Sequence, residues 1–76
     1  MEIEEQFIIY TAHALARMSV RGVTKEMVRD TLANPEQGGI GYGSKFLVYK
    51  SFGCMRIKVV YTKEDERFVI ITVIWD

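Results

Sequence analysis

Cysteine, proline and histidine are almost missing from this sequence, with one of each among 76 residues. A lone cysteine, Cys54, excludes an internal disulfide and a cysteine-based zinc site. With one histidine and one cysteine, no set of metal ligands is visible in the sequence. We therefore expect neither a metal ion nor another cofactor.

An excess of either charge is also missing, since ten Lys and Arg residues balance ten Asp and Glu residues. A strong nonspecific nucleic-acid binder usually has a basic excess, so the neutral net charge argues against that class. The charges are nevertheless unevenly distributed along the chain. Acidic side chains gather at the N-terminus (Glu2, Glu4 and Glu5) and in residues 64–66, and the remainder of the sequence is basic.

Long hydrophobic runs are absent as well, although 49% of the residues are hydrophobic. The longest run starts at Phe68, is interrupted by Thr72, and falls short of the ~20 residues that span a membrane. The first residues, MEIEEQF, lack the basic and apolar parts of a signal peptide. We expect a cytoplasmic protein without a membrane segment, folded as one domain over residues 1–76.

Capping residues predict two consecutive helices. Thr11 and Gly22 are typical of the two ends of a helix over Ala12–Arg21, and Thr24 is typical of the start of a helix over Lys25–Ala33. Apolar residues three or four positions apart predict the core-facing side of each helix, namely Leu15 with Met18 and Val28 with Leu32.

The first helix carries the most informative pattern of the sequence. His13, Arg17 and Arg21 recur every fourth residue, which predicts a stripe along one side of the helix without any carboxylate. Such a stripe suits an anion, and phosphate is the commonest biological one. Each residue also has a structural alternative: a backbone carbonyl for His13, an acidic partner for Arg17, and the carbonyls at the helix end for Arg21.

Apolar and alternating runs predict four strands, at residues 7–10, 44–51, 55–62 and Arg67–Trp75. The last three are joined by short connections, which favours an antiparallel meander. The order β-α-α-β-β-β predicts an α+β fold with two helices on one face of an antiparallel sheet. The glycine-rich residues 38–43 are predicted to be a flexible linker and not a phosphate loop, because no helix follows them.

The residues from His13 to Thr24 have the pattern H-A-x-x-R-M-x-x-R-G-V-T, which resembles domain-of-unknown-function family 4258. Asn34-Pro35 and the closing meander continue the resemblance over nearly the whole chain. That family is similar in architecture to the RelE/ParE toxins of toxin–antitoxin systems, and especially to BrnT-like ribonuclease toxins. The resemblance implies a RelE-like domain with an RNA-cleaving or ribosome-directed ancestor in bacteria.

The resemblance also implies a surface for RNA, because RelE-like proteins hold RNA on the open face of the sheet. Arg56 and Lys58 alternate with apolar residues on one predicted strand and would position phosphates there. Tyr49 would stack on a base. The alternative is that two basic residues on a solvated sheet face contribute only to solubility.

Two functions of different classes are compatible with these residues. The first is a metal-independent ribonuclease (an mRNA interferase of a toxin–antitoxin system), or a relative that still binds RNA. In that hypothesis His13 accepts the proton of a ribose 2′-hydroxyl, while Arg17 and Arg56 bind the phosphate and stabilise the transition state. Arg21, Lys58 and Tyr49 would contact the rest of the nucleic acid.

The second function is a protein-interaction module without catalysis. The last strand, ending in VIITVIWD, is apolar on both faces, and the helices can cover only one of them. The partners expected are RNA or a ribosome for the first function, and an antitoxin protein or a second copy for the second. A weak homodimer through the sheet or its edge would shield the remaining apolar face.

Overall fold

The computed structural model describes residues 3–75, in which two helices pack on one face of a five-stranded sheet. The predicted α+β class is therefore confirmed. Glu2, counted above among the acidic N-terminal residues, lies outside the described part. After a 3-10 turn at Glu5–Phe7, the elements are β1 (Ile8–Tyr10), α1 (Ala12–Arg21), α2 (Lys25–Ala33), β2 (Gln37–Ile40), β3 (Phe46–Phe52), β4 (Met55–Glu64) and β5 (Arg67–Trp75).

Local side-chain chemistry sets the ends of both helices, which begin and end where the sequence predicts. The Thr11 hydroxyl oxygen accepts a hydrogen bond from the Ala14 N–H at 3.1 Å, and the Thr24 hydroxyl oxygen accepts one from the Met27 N–H at 3.1 Å. Both contacts satisfy N–H groups that have no partner within the helix. Gly22 ends α1 with φ of 68°, a left-handed conformation that glycine adopts without strain.

The strand order in the sheet is β1-β5-β4-β3-β2. The predicted antiparallel meander is confirmed, because β3 pairs with β4 and β4 with β5, both antiparallel. The expectation of a wholly antiparallel sheet is wrong, because β1 pairs with β5 in parallel. Residues from the two ends of the chain form that pair, and local sequence patterns do not report contacts at such separation.

The glycine-rich segment also differs from its prediction as a linker. Gln37–Ile40 forms the additional strand β2, paired with β3 so that Gly38 lies opposite Val48 and Ile40 lies opposite Phe46. Glycine has no side chain, so this strand produces no alternation of polar and apolar residues in the sequence. Backbone pairing with β3 provides the order that the side chains do not indicate.

The core lies between the helices and the sheet, and Val28 and Leu32 of α2 are buried in it as predicted. The prediction for α1 is wrong in part, because Met18 is 4% exposed but Leu15 is 42% exposed. Ala14 takes the place predicted for Leu15, with no exposed surface. The reason lies in contacts with β5 that set the rotation of the helix, among them the hydrogen bond from the Thr11 hydroxyl to the Ile70 carbonyl at 2.7 Å.

Within the described part of the chain, none of the helices has the length and apolar character needed to cross a membrane.

Candidate nucleic-acid interface

The sheet has one covered face and one open face. On β4, Ile57 and Val59 are fully buried beneath the helices, and the alternation of a strand directs Arg56 and Lys58 to the other side. Cross-strand pairing identifies further residues on that side. The open face carries, among others, Gln37, Leu47, Tyr49, Arg56, Lys58, Val60, Thr72 and Ile74.

Three of the residues predicted to contact RNA lie together on the open face. Tyr49 on β3 lies directly opposite Lys58 on β4, and Arg56 is the next open-face residue of β4. The Arg56 guanidinium carbon is 4.9 Å from the centre of the Tyr49 ring, which is cation–π contact. All three side chains are half-buried. Pairing of β3 with β4 therefore brings an aromatic residue together with two cations.

Gln37 completes this group, and sequence reasoning missed it. Its side-chain oxygen accepts a hydrogen bond from Arg56 Nη1 at 3.0 Å, which orients the guanidinium. Gln37 belongs to β2, where the glycine-rich sequence gives no periodic signal, so nothing in the sequence assigns it to a face. The four residues Gln37, Tyr49, Arg56 and Lys58 form the basic-aromatic cluster.

Among the described residues, some polar side chains near the cluster already have hydrogen-bond partners, and others do not. The Glu36 carboxylate accepts hydrogen bonds from the N–H and hydroxyl of Ser51, at 3.2 and 3.0 Å, and Ser51 lies opposite Arg56. The Lys58 side chain makes no hydrogen bond or ion pair with any described residue. Its ammonium group can therefore bind a phosphate without first breaking a contact inside the described fold.

The predicted stripe on α1 does not form a single site. His13 and Arg17 are exposed, and neither side chain makes a hydrogen bond or ion pair within residues 3–75. Arg21 instead donates a hydrogen bond to the Val73 carbonyl of β5 at 2.7 Å. At 100° per residue, Arg21 lies about 80° from His13 but only about 20° from the buried Ala14. Helical geometry therefore directs Arg21 toward the sheet. Its contact is structural, but its acceptor is a strand carbonyl and not one of the helix-end carbonyls that the sequence suggests.

The predicted catalytic group of His13, Arg17 and Arg56 is not assembled. Helix α1 packs on the covered face and Arg56 lies on the open face. His13 and Arg56 are also separated along the strand direction. Thr11, at the start of α1, contacts Ile70, whereas Arg56 is next to Ile57, which pairs with Trp75. Five residues of strand correspond to roughly 16 Å. Hence His13 cannot share a phosphate with Arg56 in this fold.

Two other kinds of candidate site, a metal site and a ligand cavity, have less support among the described residues. The described residues contain no group of three His, Cys, Asp or Glu side chains arranged for a metal ion, and Cys54 is exposed. A cavity of about 600 Å³ lies between the N-terminal segment and α2. Two of its four charged lining residues, Arg29 and Asp30, are already paired, with Glu5 and Lys50 respectively.

No curated protein matches this chain, and no solved structure matches it. One family model does match, with the description "Domain of unknown function (DUF4258)", and it covers residues 10–75. That range includes both helices, strands β2 to β5 and the whole basic-aromatic cluster. The chain therefore belongs to the DUF4258 family, a family of domains of unknown function.

Proposed function

We propose that this protein binds single-stranded RNA on the open face of its sheet, as a non-cleaving relative of RelE/BrnT-like toxins. One observation carries the proposal: Tyr49, Arg56 and Lys58 lie within one group on an uncovered sheet face. RNA recognition commonly combines aromatic or guanidinium planes, on which bases stack, with cations that bind phosphates. The resemblance to RelE-like proteins supports the same face.

Each member of the basic-aromatic cluster has a separate part in binding. The Tyr49 ring and the Arg56 guanidinium provide flat surfaces for an unpaired base, and Gln37 holds that guanidinium in place. Lys58 provides the phosphate contact. Since the net charge of the chain is zero, affinity depends on these local contacts and not on a general attraction to nucleic acid.

We propose that the protein binds RNA but does not cleave it with His13 as the general base. A general base must lie within about 2.6–3.2 Å of the proton that it removes, directly or through one water. His13 lies on the helix layer, on the other side of the sheet from the cluster. RNA held on the open face is therefore out of reach of the imidazole.

Fluorescence anisotropy with a short, labelled single-stranded RNA tests the proposal. Because base stacking on an aromatic residue contributes about 1–3 kcal/mol, we expect Tyr49→Leu to weaken binding about 5- to 150-fold. We expect Lys58→Gln to lower the slope of log K against log salt by about 0.7, the value for one phosphate contact on a single strand.

Arg17→Gln is the matched control, because it removes one positive charge from the helix layer instead of the open face. We expect it to bind RNA as the wild type does. Equal losses in Arg17→Gln and Lys58→Gln would contradict a site on the open face. Wild-type cleavage of the same RNA that is abolished in His13→Ala would contradict the non-cleaving assignment and favour the ribonuclease hypothesis.

A further inference from the structure

Among the described strands, β2 forms one edge of the sheet and pairs only with β3. All four of its residues are exposed. The Gly41 N–H donates to the Lys45 carbonyl on the β3 side at 2.9 Å, and alternate residues of an antiparallel strand share a direction. Gly38 and Ile40 therefore direct their N–H and C=O groups outward, where no described residue pairs with them.

This edge lacks two of the devices that usually prevent a sheet from pairing with another chain, namely charged residues and proline. Natural edge strands are blunted by charged residues, proline, bulges or short length. The segment QGGIGYGS, residues 37–44, contains no charged residue and no proline. It also exposes two large side chains, Ile40 at 79% and Tyr42 at 96%. Both edge strands are short, with four residues in β2 and three in the opposite edge strand, β1.

The glycines of β2 are not required by the fold of one chain. A Cβ atom at Gly39 would meet nothing within 4 Å, and one at Gly38 would meet the Leu47 carbonyl oxygen at an ordinary 3.5 Å. Neither residue has the positive φ that favours glycine. Glycine inside a strand costs about 0.5–1 kcal/mol relative to alanine. What two such glycines permit is the close approach of another backbone.

We propose that β2 pairs in antiparallel fashion with β2 of a second copy of this chain, around a two-fold axis at Gly39. In this register Gly38 lies opposite the second copy's Ile40 on the same face of the sheet, and the two residues exchange backbone hydrogen bonds. Gly38 leaves room for the isoleucine side chain. The result is one continuous sheet of ten strands.

A second copy fits this edge better than a charged partner does. An uncharged segment meets itself without repulsion, whereas it offers no charge complementarity to a basic or acidic peptide. The two-fold axis satisfies the same unpaired groups on both copies at once. Because four residues form the contact, the dimer is weak and depends on concentration. The inference is independent of RNA binding, and its tests contain no RNA.

A disulfide-trapping experiment tests the register. Gly39→Cys is prepared together with Cys54→Ser, so that the introduced thiol is the sole cysteine. Directly opposite residues in a non-hydrogen-bonded pair have Cα atoms about 4.5 Å apart, within the range of a disulfide. We expect a covalent dimer to form faster than with the control Val20→Cys, Cys54→Ser, whose thiol lies on α1. Equal rates would overturn the proposed register.

Sedimentation over a range of protein concentrations tests the edge itself. We expect concentration-dependent dimerisation of the wild type and its loss in Ile40→Lys. Val20→Lys is the matched control, because Val20 is 80% exposed and Ile40 79%. We expect it to dimerise like the wild type, and circular dichroism verifies that both variants are folded. A wild type that stays monomeric at every concentration, or an Ile40→Lys variant that dimerises normally, would overturn the proposal.

Discussion

At the scale of single residues, Arg17 and Arg21 show how differently two arginines of one helix can be used. The Arg21 guanidinium donates a hydrogen bond to the Val73 carbonyl, and the Trp75 indole N–H donates one to the Arg21 carbonyl at 2.8 Å. These two contacts join the end of α1 to the end of β5. Arg17 is exposed and has no such contact within the described chain. Arg21 is therefore a structural residue, whereas Arg17 is a surface cation.

Replacing each arginine with methionine tests this difference, because methionine keeps most of the volume and removes the charge. We expect Arg21→Met to lower the free energy of unfolding by about 1–3 kcal/mol, since the Val73 carbonyl loses its donor in a half-buried position. We expect Arg17→Met to change it by less than about 0.5 kcal/mol. Urea denaturation followed by Trp75 fluorescence measures both. Equal effects of the two substitutions would contradict the structural role.

At the scale of elements, the rotation of α1 about its axis decides which side chains reach the core. Both Leu15–Met18 and Ala14–Met18 have helical spacing, so periodicity alone does not choose between them. Hydrogen bonds from the Thr11 and Arg21 side chains to β5 carbonyls orient the helix so that Ala14 and Met18 face the sheet. Leu15 then lies at the margin of the core.

Truncation to alanine distinguishes the two orientations. We expect Met18→Ala to lower the free energy of unfolding by about 2–5 kcal/mol, because it removes a buried side chain and leaves a cavity. We expect Leu15→Ala to cost less than about 1 kcal/mol, since much of its surface is already in water. Chemical denaturation of the two variants gives both values. A larger loss for Leu15→Ala than for Met18→Ala would mean that a different side of α1 faces the sheet.

At the scale of the whole molecule, the net charge is zero, so we expect the pH dependence of the free energy of unfolding to come from individual groups with shifted pKa values. Burial raises the pKa of Tyr61 above its usual 10.0. Burial also raises the pKa of Tyr10, with a further contribution from the nearby Glu5 carboxylate. The hydrogen bond from Asn34 lowers the pKa of Asp30, and Lys50 adds to this effect. The protein should therefore lose stability in strong base through its tyrosines and in strong acid through Asp30.

Tyr61 and Tyr10 both contribute to the loss of stability at alkaline pH, and the contribution of Tyr61 can be tested separately. Because its pKa is higher in the folded state, its contribution is fully present below about pH 10 and is lost as the pH rises from there through the folded-state pKa. We expect Tyr61→Phe to show a shallower decline than the wild type in urea denaturation at increasing alkaline pH. Tyr42→Phe, at a position that is 96% exposed, is the control and should decline like the wild type. Parallel curves for Tyr61→Phe and the wild type would contradict this contribution.

The sequence by itself determined the features whose signals lie within a few residues of one another. The caps at Thr11, Gly22 and Thr24 are chemical contacts between near neighbours, so they locate both helices. Alternation and short connections locate the three strands of the meander in the same way. The pattern from His13 to Thr24 likewise carries the resemblance to the family that the chain belongs to.

Only the tertiary structure decided which of these elements share a surface. The parallel pairing of β1 with β5 joins residues about sixty positions apart, and two of the four residues of β2 are glycines, which produce no pattern. The grouping of Tyr49 with Arg56 follows from strand register, and so does the separation of both from His13. Such arrangements depend on long-range backbone pairing and on the rotation of α1 against β5. The spacing of side chains along a single helix or strand predicts neither the pairing partner of a strand nor the rotation of the helix.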